Sequence, residues 1–256
     1  MIHIYPVKTG IINVGTNIID TIIESIPLKL RDKDILVISS KPILIALGYT
    51  VKRSQIECDD ISRRISKRYN IPPHVVRAIL SHSIRLYGGT EGFLLSEVDG
   101  ILLPNAGIDN KNCKDRDSMV LPPIKLKNMA KRFYTEILNK FGVRVPIIIS
   151  DSTIFPLRRG TRAVAIYVYG FKPIKNYIGK KDLFGRKIKY TTLSLADEIA
   201  SAAHLLIGEG EERTPAAVVR GVEIILCEED LSDQLKIEKD RCLYNEVFES
   251  YRTDGQ

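Results

Sequence analysis

The chain holds few of the residues that usually announce a metal or redox protein. Its four cysteines, Cys58, Cys113, Cys227 and Cys242, are too scattered for a Cys-x-x-Cys metal motif, and a chain of 256 residues needs no disulfide staples, so free thiols are expected. Its four histidines, His3, His74, His82 and His204, show no His-x-x-x-His or triad-like spacing, which argues against a histidine-based zinc site. No apolar run approaches the roughly 18 to 20 residues that cross a bilayer. The opening Met1-Ile2-His3-Ile4-Tyr5-Pro6 lacks the basic region and long apolar segment of a signal peptide, so a cytoplasmic location without membrane contact is expected. Neither Gly-x-x-x-x-Gly-Lys-Ser/Thr nor Gly-x-Gly-x-x-Gly occurs, and no standard nucleotide fingerprint is present. Internal repeats and low-complexity linkers are missing too, so any two lobes must be interwoven or joined by short connections.

What remains is an ordinary globular composition, 44% hydrophobic and 27% charged, in a chain long enough to bury a large core as one domain or two lobes. The net charge of +7 favours anionic partners. The basic residues are dispersed, as in Arg63-Arg64, Lys67-Arg68, Lys131-Arg132, Arg158-Arg159 and Lys180-Lys181, and no tract interleaves them with aromatics. Phosphate-bearing small molecules are therefore favoured over nucleic acid.

Helical and strand-like segments alternate, which predicts a mixed α/β fold with two intimately joined lobes. Apolar spacing predicts helices over 17–26, 59–69 and 125–141, the last the longest, and another from Pro72-Pro73 to about Leu86. Ser194 with Asp197 resembles a capping box that opens a further helix, whose face Leu195, Ile199, Ala203 and Leu206 reads as core. Strands are predicted at 34–40, 93–95, 100–103, 143–150, 164–169, 187–192, 216–219 and 222–226. Tyr87-Gly88-Gly89-Thr90-Glu91-Gly92 reads as a flexible break, and a charged helical tail is expected from about 228 in a single domain spanning 1–256.

Two acids stand just after apolar, strand-like segments: Asp109 in Pro104-Asn105-Ala106-Gly107-Ile108-Asp109, and Asp151 in Ile147-Ile148-Ile149-Ser150-Asp151-Ser152. Ligands of α/β proteins gather where strand ends meet loops, because side chains there are held rigidly yet reach solvent. An aspartate near glycine also serves simply as a turn cap. With the glycine-flanked Glu209, the acids point to a metal-assisted reaction on an anionic substrate.

The order and spacing of several segments go further. Pro104 to Asp109 with Asn112, then Leu121-Pro122-Pro123, Ser150-Asp151-Ser152, Arg158-Arg159-Gly160, 178–186, 196–200, Gly208-Glu209-Gly210 and 215–221 resemble the gamma-glutamyl ligases of deazaflavin coenzyme biosynthesis, the CofE family. The resemblance implies a GTP-dependent ligase that joins L-glutamate to coenzyme F420-0, a deazaflavin phosphodiester, through an acyl phosphate. It implies Mg²⁺ or Mn²⁺, with K⁺ as a further candidate, and a homodimer. By position it assigns Asp109, Asp151, Ser152 and Glu209 to metal. The nucleotide falls to Thr9, Gly10, Ile11, Ile12, Ser40, Lys41, Asn112, Gly208 and Gly210.

Two departures accompany the match. Where the family carries a lysine that would face phosphate, this chain has Ile45, and Ile154-Phe155 replaces a Gly-Arg pair. Losing a cation beside a triphosphate removes a charge-assisted contact worth roughly 1.5 to 3 kcal/mol. Lys41, four residues earlier, compensates only if its side chain reaches the site. The alternative is a divergent paralog that ligates or binds another anionic substrate.

Overall fold

A computed structural model describes residues 1–250; the last residues of the expected tail, 251–256, lie outside them. Strand β1 (His3–Val7) leads to helix α1 (Ile18–Glu24), whose N-cap Asn17 accepts the Asp20 N–H. The run at 34–40 forms β2 (Ile35–Ser39) and passes directly into a short helix, α2 (Ser40–Ala46). β3 (Thr50–Lys52) precedes α3 (Asp60–Tyr69) and α4 (Pro73–His82), and a meander follows: β4 (Arg85–Thr90), β5 (Phe93–Val98) and β6 (Ile101–Pro104). Next come β7 (Ser118–Val120), α5 (Lys127–Phe141), β8 (Ile147–Ile154) and β9 (Thr161–Phe171). β10 (Ile174–Asn176), β11 (Thr192–Ser194), α6 (Leu195–Ile207), β12 (Ala216–Arg220), β13 (Leu226–Asp230) and α7 (Asn245–Ser250) complete the order.

Six strands form the central sheet in the order β1-β12-β2-β8-β9-β13, antiparallel throughout except for the parallel pair β2–β8. Ile35 to Ile38 and Ile147 to Ile149 are wholly buried, as near-continuous apolar runs must be when both faces are covered. One face packs under α1, α2 and α5, through Ile22, Ile43 and Phe133; the other packs under α6. A second, smaller core forms around α3, α4 and the β4–β6 meander, with Val76, Ile79, Leu94 and Leu103 at its centre. This is the mixed α/β architecture expected, with the smaller core carried on the insertion between β3 and β7.

Several local expectations are corrected. The helix expected to reach Leu86 stops at His82, and the supposed flexible break is mostly strand: β4 runs through Gly88, Gly89 and Thr90, paired with β5. The strand expected at 187–192 reduces to one bridge, Lys181 to Lys187, and the regular pairing falls at Thr192–Ser194. The strand expected at 222–226 begins only at Leu226 and joins the edge of the central sheet. Among the described residues the tail from 228 is helical only in short pieces, at 232–235, 239–241 and 245–250, since 226–230 adds to the edge of the sheet instead. Ser194 does not cap α6 as a capping box would; its hydroxyl donates to Asp197 Oδ2, while Asp197 Oδ1 accepts the Ala165 N–H. The buried face of α6 is Ala196, Ile199, Ala200, Ala203 and Ile207, leaving Leu206 partly exposed. Small alanines let the helix lie close on the sheet, and that closeness outweighs the larger apolar stripe.

Candidate active site

The site forms where the parallel strands end. Ser39 of β2 pairs with Ser150 of β8, so Ser40-Lys41 at the start of α2 and Asp151-Ser152, still within β8, lie side by side just beyond the parallel pairing. A register shift between Ile149 and Ser150, where β9 carries the extra Ile166, bends the sheet just before Asp151.

Asp109 arrives by a strained route. Asn105, Ala106 and Gly107 are consecutive left-handed residues, with φ of 51°, 57° and 73°. For alanine this costs on the order of 1 kcal/mol or more and persists only where the surroundings dictate it. Here the Asn105 amide accepts the Leu94 N–H and donates to the Gly92 carbonyl, and Ala106 is fully buried. Gly107 takes its left-handed φ without a β-carbon, which there would crowd Pro123 Cδ at 3.1 Å and Asp151 Oδ2 at 3.3 Å. Asp109 then pairs through its backbone with Val120, and its Oδ1 accepts the Lys111 N–H at 2.9 Å.

The acids converge on a cation of the protein itself. The Lys41 ammonium forms a close ion pair with Asp109 Oδ2 and also feels Asp151 and Glu209. Burial alone would depress it, but Asp151, Asp109 and Glu209 together hold its pKa above the ordinary value. Asp151 is buried, and loss of water pushes its carboxyl up to about 6 against the pull of Lys41 and the Ser152 N–H. Glu209 shifts the other way. His204 Nε2 lies 3.1 Å from its Oε1, and with Lys41 and the Ser152 hydroxyl it holds the carboxyl at about 2. Among the described residues no three His, Cys, Asp or Glu side chains are gathered closely enough to hold one ion between them. The acids are instead arranged around Lys41. Their chemistry, hard carboxylate oxygens with the Ser152 hydroxyl beside them, fits Mg²⁺ or Mn²⁺.

These groups stand at one end of a cavity of about 880 Å³. Thr9, Gly10, Ile11 and Ile12 line it from the loop after β1, Lys41 from α2, Asn112 from the loop after Asp109, and Asp151 and Ser152 from β8. Gly208, Glu209 and Gly210 close it after α6. Two of the expected site residues do not reach the wall: Ser40 is fully buried at the start of α2, and Asp109 meets the cavity through Lys41. The glycine loop is already tied down. Glu212 Oε2 accepts the Gly210 N–H at 2.8 Å, and the Gly210 carbonyl accepts the Asn112 amide at 3.2 Å. Gly208, at φ 74°, leaves room for that Glu212 carboxylate, which a β-carbon would meet at 2.3 Å.

Sequence reasoning missed His204, Lys111 and Glu212. Lys111 Nζ lies 3.8 Å from Glu209 Oε2, and His204 lies on α6 just before the glycine loop. The five-residue step from His204 to Glu209 is not a helical spacing and becomes a contact only because Gly208 turns the chain back. Ile45, the first departure, does line the cavity, but it also packs against the core beneath α2.

The family model for F420-0:gamma-glutamyl ligase matches residues 6–221. A coenzyme F420:L-glutamate ligase of Methanosarcina mazei is 33% identical over 225 residues, covering 88% of this chain and 87% of that protein. The like-named protein of Archaeoglobus fulgidus is 34% identical over 224 residues, 87% of this chain and 89% of its own. That of Methanocaldococcus jannaschii is 32% identical over 196 residues, covering 76% and 78%.

Proposed function

Because the chain belongs to the F420-0:gamma-glutamyl ligase family, we propose that it is a GTP-dependent ligase joining L-glutamate to a coenzyme F420-type deazaflavin acid. The observation that carries this reading is the convergence of Asp109, Asp151 and Glu209 on Lys41 at the end of one cavity, from segments scattered over the chain.

A carboxylate is a poor electrophile. In the proposed reaction its oxygen takes the γ-phosphoryl group of GTP, releasing GDP, and the glutamate amine then attacks the acyl carbon, losing a proton as phosphate leaves. Asp109, Asp151, Ser152 and Glu209 would hold Mg²⁺ or Mn²⁺, which when bound neutralises and aligns the polyphosphate. Lys41, freed from Asp109, offers its ammonium to the phosphates. Ile12, Ile45 and Ile207 give the cavity an apolar wall that keeps water from the activated acid. His204 keeps Glu209 ionised and fixes its orientation. The reading includes a homodimer, which sedimentation of the purified protein tests directly.

A second reading, a paralog acting on another anionic acceptor, rests on Ile45, an apolar side chain on the cavity wall where the family pattern has lysine. One experiment separates the two. Purified protein with GTP, Mn²⁺, L-glutamate and deazaflavin acceptor is expected to yield a product heavier by one glutamyl residue; GTP binding without that product favours the paralog. The melting midpoint is expected to rise with Mn²⁺ and further with GTP, since ligand at a hundredfold its Kd adds about 2.7 kcal/mol. No response to either ligand would count against both readings.

Ile45 also offers a gain-of-function test. Ile45→Lys places a second ammonium one helical turn from Lys41 and is expected to tighten GTP by about tenfold, the lower end of a charge-assisted contact. The side chain is only partly buried, so the variant is expected to fold with a modestly lower melting midpoint. Titration calorimetry reads the affinity, and unchanged GTP affinity would remove position 45 from the phosphate contact.

A further inference from the structure

A second cavity, of about 360 Å³, lies beside the first against the turn end of the β8–β9 hairpin. Arg158, Arg159 and Arg162 line one side of it, and Asp197, Glu198 and Ser201 of α6 line the other. Among the described residues none of the three guanidiniums is held in an ion pair. The acids opposite offset them only in part: the Asp197 carboxylate accepts the Ala165 N–H at 2.9 Å and the Ser194 hydroxyl at 2.7 Å, and Asp197 with Glu198 sets two negative charges against three positive ones.

The arrangement is also prepared for an oxyanion. The Arg162 guanidinium lies 4.4 Å over the Phe155 ring, which restrains its plane while leaving its edge donors free. Three unpaired guanidiniums on one hairpin repel each other, and an anion with several oxygens relieves that repulsion while accepting paired N–H bonds. The two cavities are neighbours: Ala163 lines both, and α6 presents Ser201 to the second and His204 to the first, about one helical turn apart.

We propose that the second cavity is an oxyanion site that binds the phosphate-type group of the acceptor acid, with the acceptor lying along α6 so that its carboxyl end enters the first cavity. This rests on the ligase reading above. An oxyanion reaching the site could also come from the nucleotide or from glutamate, so the test varies each substrate in turn. In Arg158→Gln/Arg159→Gln, the KM for the acceptor is expected to rise about tenfold or more, with the KM for GTP and for glutamate held within about twofold. Arg158→Lys/Arg159→Lys is expected to recover part of the loss, because the charge returns without the planar fork. A rise that falls on GTP or glutamate, or no rise, overturns the assignment. If the wild-type protein ligates no deazaflavin acid, the ligase reading fails on its own, and the cavity is then read by metal-free calorimetric titration with inorganic pyrophosphate. Binding by the wild type that is lost in the double glutamine variant supports an oxyanion site; equal binding by both, or none by the wild type, overturns it.

Discussion

Asp151→Asn is expected to give a folded protein, more stable than the wild type without metal, that has lost both its response to Mn²⁺ and its turnover. In the metal-free protein the Asp151 carboxyl sits at about 6 because burial penalises its charge. A carboxyl raised above its unfolded value near 3.8 destabilises the fold fully above pH 6, progressively less as pH falls, and not at all below the unfolded value. At pH 7 the asparagine is thus expected to add about 2 to 3 kcal/mol, at about 1.36 kcal/mol per pKa unit. Stability of the metal-free wild type should rise between pH 6.5 and 4.5, and the variant should lack that rise. Glu209 acts in the opposite sense and in a lower window: its carboxyl, held at about 2, contributes stability above its unfolded value that is lost as pH falls below 4.5. Asparagine still accepts the Ser152 N–H, but a neutral amide cannot hold a divalent ion by charge, so turnover is expected to fall by at least about 10²-fold. Melting curves across pH, with and without Mn²⁺, read both halves. A variant that answers Mn²⁺ as the wild type does would remove Asp151 from the ion.

Lys41→Met separates the two cations that compete for the same acids. The Lys41 ammonium occupies the place to which Asp109, Asp151 and Glu209 direct their charge, so a divalent ion that binds them must displace it. Removing the ammonium leaves buried like charges uncompensated, and the metal-free variant is expected to lose about 3 kcal/mol. Mn²⁺ should restore much of that loss and, with no competitor, bind about tenfold more tightly in the absence of nucleotide. GTP affinity should move the other way, weakening roughly ten- to hundredfold as the phosphate contact disappears. Few structural defects combine a lower metal-free melting point, a larger Mn²⁺ rescue and weaker GTP binding. Unchanged Mn²⁺ affinity would show that Lys41 and the ion do not share a position.

Much of the scaffold was legible because its signals are local. The runs Ile35 to Ile38 and Ile147 to Ile149 can be buried on both faces only as central strands, and the apolar spacing of 125–141 fits a helix laid across them. The glycines of 87–92 misled for the opposite reason: glycine reads as a break, yet β4 carries Gly88 at φ 105° through an irregularity in its ladder and pairs Gly89 with Leu94 of β5, where a β-carbon on Gly89 would strike the Phe93 carbonyl at 2.2 Å. No local preference can report a contact made by a strand elsewhere in the chain.

The same distinction runs through the site. By itself the sequence determined which acids follow apolar runs and which glycines flank Glu209, because these follow from short patterns of residue type. Only the tertiary structure decided what those acids face. The parallel register of Ser39 with Ser150 sets Lys41 beside Asp151, the left-handed turn at 105–107 brings Asp109 to the same ammonium, and the turn at Gly208 folds Glu209 back onto His204. Lys41 thereby supplies a cation one turn before Ile45, and Arg162 lies over Phe155 from the opposite strand. Charge at a site depends on distance through space, and the residues that answer each other here are separated in sequence by anything from five positions to more than a hundred.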